Sequence, residues 1–349
     1  MRKRVVFAVS VILAAMILIA ASLEAQNKRM GTASGTQLLL PVGARDLARG
    51  GSTIAITSGV EAIHWNPAGL ASMTKAAEGV FSLMSYIADI SVDHAAVAAS
   101  FGEFGVVGVS VRSINFGDIK LTTRENPWGE SGAVFSPTFV TFGLTFARSL
   151  TDAISAGGSL KLVSEQIDRV SASGIAIDVG VQYKGVGGIR GLSLGVAVKN
   201  IGPRIQYDGS ALLGTSRRTD GDRPDQKYKI ETAANELPAL FDVGLAYAGA
   251  ASDNMLWNVS SSYTNMNLGL DEYRFGGEVA YTLESVQLFG RAGGGLVPDA
   301  QTDEQHIFGA TFGAGLSYST AGMQITIDYA YRSVKYFDAN QVIAVKLGF

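Results

Sequence analysis

The sequence has no cysteine, only three histidines and few charges for its length of 349 residues. Without cysteine the chain has no disulfide bonds, thiolate nucleophiles, iron–sulfur clusters or thiolate zinc sites. His64, His94 and His306 lie far apart in the chain, which argues against a metal site built from histidines. Charged residues make up 17% of the chain and glycine contributes 42 residues. This composition differs from that of an ordinary cytosolic enzyme and indicates extended structure.

Positive charge is also scarce. The formal net charge is −3 at pH 7, and loss of the first 25 residues, with three positive charges and one negative, makes it −5. This balance argues against nucleic acid as a partner.

The first 25 residues have the parts of a secretory signal peptide. A basic start at residues 2–4 precedes an apolar run from Val5 to Ala21, and Ala25 suits the position before the cleavage site. An anchor helix that is never removed is the alternative, because the apolar run is close to the shortest that spans a bilayer. No later segment has a comparable apolar run, so we predict an exported chain whose mature form has no transmembrane helix.

From about Val80 onward, apolar residues alternate with polar or small ones, which is the period of β-strands. In residues 175–184 (IAIDVGVQYK) every odd position is apolar. A soluble sandwich would bury the apolar face, whereas an outer-membrane barrel would turn it to lipid and line its lumen with the polar face. Alternation alone does not distinguish these two folds.

The number and spacing of the strands favour the barrel. We count about fourteen, the first near residues 80–90 and the last near 340–349, with short turns on one side and mostly longer loops, such as 115–136 and 202–235, on the other. Periplasmic turns and extracellular loops differ in this way. The fold class predicted is an all-β transmembrane outer-membrane barrel of about 14 antiparallel strands, in contact with outer-membrane lipid. Its last residue, Phe349, resembles the terminal aromatic residue of a barrel-assembly signal.

The alternation also assigns charges to the lumen. Lipid-facing Lys or Arg near the midplane would cost about 2–4 kcal/mol, so the charges on the polar face are expected to point inward. These lumen-facing charges are Lys161, Asp178, Lys184, Lys199, Asp242, Arg274, Glu278, Arg291, Asp328, Arg332 and Lys346. Their mixed signs indicate ion pairs that brace the wall rather than a selectivity filter.

The segment before the strands is predicted to fill the lumen. Fourteen strands enclose more space than the wall's own side chains fill, and residues 26–75 are the only long non-alternating stretch. The predicted organisation is a signal peptide over 1–25, a hatch over 26–79 and the barrel over 80–349. A break at Asn66-Pro67 is expected to let Trp65 wedge against the wall. A flexible periplasmic tail is the alternative.

Two motifs in this segment carry a family resemblance. Residues 43–51 (GARDLARGG) and 62–70 (AIHWNPAGL), with Trp65, Asn66, Pro67 and Gly69 in the specific block, resemble the N-terminal signature of the PorV/PorQ outer-membrane proteins. That group is similar to the FadL fatty-acid channels. The resemblance implies a fourteen-stranded barrel with an N-terminal hatch. It also implies either a part in type IX secretion, through binding of exported proteins or a translocon, or passage of hydrophobic molecules.

No catalytic, cofactor or metal residues are predicted. Asp93 and His94 are adjacent in a strand and so face opposite ways, and His306 follows Glu304 in a similar setting. Residues 185–191 (GVGGIRG) lack the third glycine of a phosphate fingerprint. Residues 220–225 (DGDRPD) lack the closing Glu of a calcium loop, so a solvated loop is favoured.

Two function classes therefore remain. As an interaction protein, the chain would present its long loops, with Trp128, Val134 and Phe135 at their tips, to an exported protein or a secretion translocon. As a transporter, it would hold a hydrophobic small molecule above the hatch. The closer resemblance to the secretion branch favours the first class.

The signal peptide gives the first testable prediction. We expect the mature protein to begin at Gln26 and to fractionate with outer membranes, because residues 1–25 have the three parts that signal peptidase requires. N-terminal sequencing of the membrane-bound protein checks this, and a chain that still carries residues 1–25 would contradict it.

Overall fold

The structure, a computed structural model, describes residues 33–216, 225–300, 302 and 305–349. The predicted signal peptide, the cleavage site at Gln26 and residues 220–224 of the charged loop lie outside these ranges. None of the helices within them is long and apolar enough to cross a membrane.

Fourteen antiparallel strands form one closed barrel. Each strand pairs with the next in the chain, and β14 pairs with β1 to close the wall, with Val80 opposite Lys346. The fold class predicted from the alternation is confirmed. In order from β1 to β14 the strands are Ala77–Ser85, Ser91–Ser100, Val106–Asn115, Thr138–Ser149, Ile154–Ile167, Val170–Lys184, Leu192–Ile201, Leu240–Ser252, Met255–Met266, Glu272–Leu283, Val286–Leu296, Phe308–Thr320, Met323–Val334 and Asn340–Gly348.

The first strand differs from its predicted bounds. It begins at Ala77, three residues before Val80, and ends at Ser85 rather than near residue 90. Ala88 and Asp89 have φ angles of 53° and 59°, which a strand does not accommodate. The chain therefore turns there instead of continuing the strand.

The two ends of the barrel differ in their connections. At one end every connection is a turn of two to seven residues, whereas the other end carries the long connections 116–137 and 202–239. Each long connection contains a short two-stranded ladder, Ile119–Lys120 with Val134–Phe135 and Leu213–Ser216 with Gln226–Lys229. Because outer-membrane barrels carry their long loops outside, we call this the outer end.

The wall is apolar outside and mostly polar inside. Phe142 and Leu144 are exposed on the outer surface, whereas Thr141 and Thr145 of the same strand are buried inside. The inner face is more apolar around β14 and β1–β3, where Val80, Met84, Val92, Ala96 and Val342 are buried. Apolar side chains are favourable on this inner face because it packs against protein rather than water.

That protein is the chain's own N-terminal part, residues 33–76, which we call the lumen segment. It contains two short α-helices, α1 (Ala44–Leu47) and α2 (Ala62–Trp65). It also contains three 3-10 helices, Thr36–Leu39, Gly59–Glu61 and Pro67–Ser72. Its apolar residues Val42, Leu47, Val60, Ile63 and Leu70 join one buried cluster with the apolar sector of the wall.

Elsewhere the lumen segment touches the wall through glycines. A Cβ atom on Gly157 would lie 2.5 Å from the Pro67 carbonyl oxygen, and one on Gly276 would overlap the Arg49 carbonyl oxygen. Seven strands contribute such a glycine, so the contact surrounds the lumen segment and shows that it lies inside the barrel. The wall glycines are Gly108, Gly157, Gly180, Gly195, Gly276, Gly293 and Gly313.

This contact predicts which glycines tolerate a side chain. Gly157→Val should lower the stability of the barrel by about 1–3 kcal/mol, because the added carbons displace the backbone at Pro67. The matched control is Gly290→Val on β11, where a Cβ has no neighbour within 4 Å. The midpoint of thermal unfolding, followed by the heat-modified mobility of the barrel in detergent, distinguishes the two. Equal midpoints would contradict the assigned contact.

Candidate functional site

Asn66 and Pro67 lie where the lumen segment meets the wall. Helix α2 ends at Trp65, Asn66 is extended, and Pro67 begins the next helix, because a residue before proline avoids the α region. The Asn66 amide donates hydrogen bonds to the Ile54 carbonyl at 2.8 Å and to the Val181 carbonyl of β6 at 3.3 Å. The Asn66 side chain thus joins two parts of the lumen segment to the wall.

Trp65 is bound within the lumen segment, and our expectation that it wedges against the wall stays a prediction. Its indole Nε1 donates to the Val42 carbonyl at 3.2 Å, so the ring packs within the lumen segment itself. Gly69 is equally internal, since a Cβ there would overlap the Thr57 carbonyl. The strand register alone does not reveal these contacts, because they join residues of a segment without regular periodicity.

The charges predicted to face the lumen point inward, and most of them lie in ion pairs. Lys199 lies 2.8 Å from Asp242, and Arg274 lies 2.6 Å from Glu272. Arg291 contacts both Glu278 and Asp328 at 2.5 Å, and Lys161 pairs with Asp178. Lys184 sits at the exposed inner end of β6, where it donates to the Ser72 hydroxyl at 2.8 Å. The pairs of Lys161, Lys199 and Arg291 thus join different strands of the wall, whereas Arg274 and Glu272 belong to the same strand, β10.

A second set of ion pairs joins the lumen segment to the wall. Arg49 pairs with Asp46 and lies 3.9 Å from Glu278, and Lys346 of β14 lies 3.5 Å from Glu61. Burial raises the pKa of the Asp46 carboxyl, but Arg45 and Arg49 outweigh it and lower that pKa to about 2. Asp46 therefore stays charged at any physiological pH.

Arg112 is an anchor that our sequence analysis missed. Its guanidinium donates to the carbonyls of Gln37 at 2.6 Å and Leu40 at 3.2 Å, and it contacts His64 Nδ1 at 2.7 Å. Since the guanidinium only donates, His64 Nδ1 is the acceptor. Burial, and then Arg112, keep the pKa of His64 well below its usual value. The sequence did contain a signal for this anchor, because Arg112 falls at an inward-facing position in the alternation of its strand.

A cavity of about 390 Å³ lies on the outer side of the lumen segment. Its walls combine apolar side chains, including Leu38, Trp65 and Phe308, with Arg274 and Arg332. The Arg332 guanidinium stacks 3.8 Å above the Phe308 ring. The space is within the range of small-molecule sites.

Among the described residues, Asp93 and His94 do not form an acid–histidine pair, and no side-chain cluster suits a metal ion. His94 is buried and faces inward, whereas Asp93, its neighbour in β2, lies on the other face of the strand. Within the described ranges, no group of three or more His, Asp or Glu side chains could hold a metal ion.

Comparisons with known proteins agree with this architecture. No curated protein sequence matches the chain. Among solved structures, the CymD monoaromatic hydrocarbon channel has a TM-score of 0.59 at 12% identity, covering 89% of this chain and 98% of its own. The toluene transporter TodX of P. putida has a TM-score of 0.56 at 13% identity, covering 88% and 98%. The toluene transporter TbuX of Ralstonia pickettii has a TM-score of 0.54 at 14% identity, with the same coverage.

At these identities the likeness concerns the fold. The family comparison is more specific, because the family model described as type IX secretion system protein PorV matches residues 23–215, more than half of the chain. That range includes both motifs of the lumen segment. The chain is therefore an outer-membrane β-barrel that belongs to the PorV family of type IX secretion system proteins.

Proposed function

We propose that this protein is a non-enzymatic component of type IX protein secretion that binds exported proteins or the translocon through its outer loops. In this proposal the lumen segment is a hatch that keeps the barrel closed while the partner binds outside. The observation that carries the proposal is the packing of the lumen segment against glycines of seven strands, which suits a barrel built to stay filled.

The outer loops supply a surface that suits a protein partner. Trp128 in the first long loop is 80% exposed, and Tyr228 and Ile230 in the second are also exposed. Large aromatic side chains held in solvent at loop tips are typical anchors of protein interfaces. Val134 in the first long loop is also exposed, whereas Phe135 is partly buried in the ladder of the same loop.

Passage of a hydrophobic small molecule is the second candidate function. The cavity outside the lumen segment, lined by Trp65, Phe308 and Leu38, supports it. The barrels with the same fold that are described as toluene transporters are consistent with this use of the cavity. A transporter must move its hatch, whereas a secretion partner does not need to.

The loop surface gives a testable prediction. Trp128→Ala should reduce the amount of exported protein or translocon that coprecipitates with the barrel from cells by about tenfold or more, because exposed aromatic anchors often contribute 2 kcal/mol or more to an interface. The control is Phe104→Ala, which removes another exposed aromatic ring, from a turn at the opposite end. An equal loss in both variants, or none in either, would argue against the loop surface.

Fixing the hatch distinguishes the two functions. The hydroxyls of Ser52 in the lumen segment and Ser260 in β9 are 2.7 Å apart, so Ser52→Cys with Ser260→Cys should form a disulfide in this cysteine-free chain. We expect secretion of exported proteins to be unchanged in the oxidised variant, with the reduced variant as its control. Loss of uptake of a hydrophobic solute, together with its recovery on reduction, would support the transporter instead.

A further inference from the structure

The start of the lumen segment reaches the outer end of the barrel. Residues 33–40, which we call the outer arm, lie beside the long loop 202–239. Ala33 forms a parallel bridge with Glu236, and the Ser34 amide donates to the Glu236 carbonyl at 3.1 Å. The chain therefore runs from the outer mouth down through the lumen before it enters β1.

One buried carboxylate joins the outer arm, the wall and this loop. Glu165 of β5 is 1% exposed. One of its oxygens accepts from the Gly35 amide at 2.7 Å, and the other accepts from the Tyr207 hydroxyl at 2.5 Å. No basic side chain among the described residues pairs with Glu165, so these two donors are what satisfies it. Burial and the bond to Glu165 raise the pKa of Tyr207, so its hydroxyl remains a donor.

The base of the loop is inserted into the barrel mouth. Ile205 and Leu237 share a buried cluster with Leu38 of the outer arm and with Val163 and Ala172 of the wall. The two sides of the loop base are joined to each other, because Ile205 and Asn235 exchange backbone hydrogen bonds of 2.9 Å. Outward movement of this base would remove both the Tyr207 donor and the apolar cover of the outer arm.

One side chain of the outer arm makes an unfavourable contribution to the free energy of the inserted arm. The side-chain amide of Gln37 is buried, and neither its nitrogen nor its oxygen has a hydrogen-bond partner among the described residues. An unsatisfied buried amide is unfavourable, and exposure to water would relieve it. Release of the arm would therefore restore hydration of this amide, and the contacts of the loop base oppose that release.

We propose that the base of loop 202–239 is a clamp on the outer arm, so that a protein that draws this loop outward frees residues 33–40 from the barrel mouth. The inference rests on the proposed function, because it treats the same loop as the partner's binding surface. By reciprocity, a freed arm would also favour binding of that protein. The clamp regulates the outer mouth, while the wall glycines keep the rest of the lumen segment fixed.

Hydrogen exchange of the purified full-length barrel in lipid nanodiscs tests the clamp without any partner. Tyr207→Phe removes the donor to Glu165 and should speed exchange of the amides of residues 35–40 about tenfold, since hydrogen bonds to charged groups are the stronger ones. Exchange in residues 59–72 should not change. Tyr228→Phe, an exposed tyrosine of the same loop, is the matched control and should leave residues 35–40 unchanged.

A reversible disulfide between the loop base and the wall, which we call the lock, is the second part of the experiment. A Cβ on Gly174 would lie 3.6 Å from the Cβ of Ile205, a separation that suits a disulfide. Gly174→Cys with Ile205→Cys, added to Tyr207→Phe, should restore slow exchange of residues 35–40 when oxidised and lose it on reduction. If Tyr207→Phe disturbs folding, Ile205→Ala should produce the same acceleration.

The outcomes separate the clamp from the proposed function. Slow exchange of residues 35–40 in both Tyr207→Phe and Ile205→Ala would overturn the clamp. Acceleration that the oxidised lock fails to reverse would also overturn it. Failure of exported proteins or the translocon to coprecipitate, with the exchange results as expected, would refute the proposed function and leave the clamp standing as a property of the isolated barrel.

Discussion

The structure depends on how closely the lumen segment approaches the barrel wall. Fourteen strands enclose a space that their inward side chains do not fill, and a folded segment of the same chain occupies it. Because backbone meets wall at Gly157, Gly276 and Gly293, even one added methyl group would collide with a carbonyl. The barrel width therefore fits only this path of the lumen segment, and this path fits only a barrel of that width.

Charge compensation follows from the same packing. A filled lumen excludes much of the water that would hydrate Asp178, Asp242 or Asp328, and a buried charge without a partner is unfavourable. Each of these carboxylates contacts a Lys or Arg of the wall. Where the wall contacts apolar residues of the lumen segment, it supplies apolar side chains such as Val80 and Val92. The polarity of the inner wall therefore matches the polarity of the lumen-segment residues that it contacts.

The two ends of the lumen segment have different roles in this arrangement. Near Asn66 and Pro67 it is fixed by wall glycines and by side-chain hydrogen bonds to carbonyls. At residues 33–40 it is held by Glu165, Arg112 and a loop that a bound protein could contact. Under our proposal, this chain combines a filled interior with an outer mouth where the loop base holds the outer arm.

The sequence alone determined the strands, their sidedness and the inward position of charges such as Lys199 and Arg291, because alternation is a local property and lipid penalises charge on one face only. It also indicated where α2 ends, since Asn66-Pro67 restricts the backbone locally. The sequence did not reveal that Trp65 bonds to Val42, that Arg112 and Glu165 anchor the outer arm, or that this arm reaches the outer mouth. Glu165 lies 130 positions from Gly35 and Arg112 lies 75 positions from Gln37, and only closure of the barrel around the lumen segment brings these residues together.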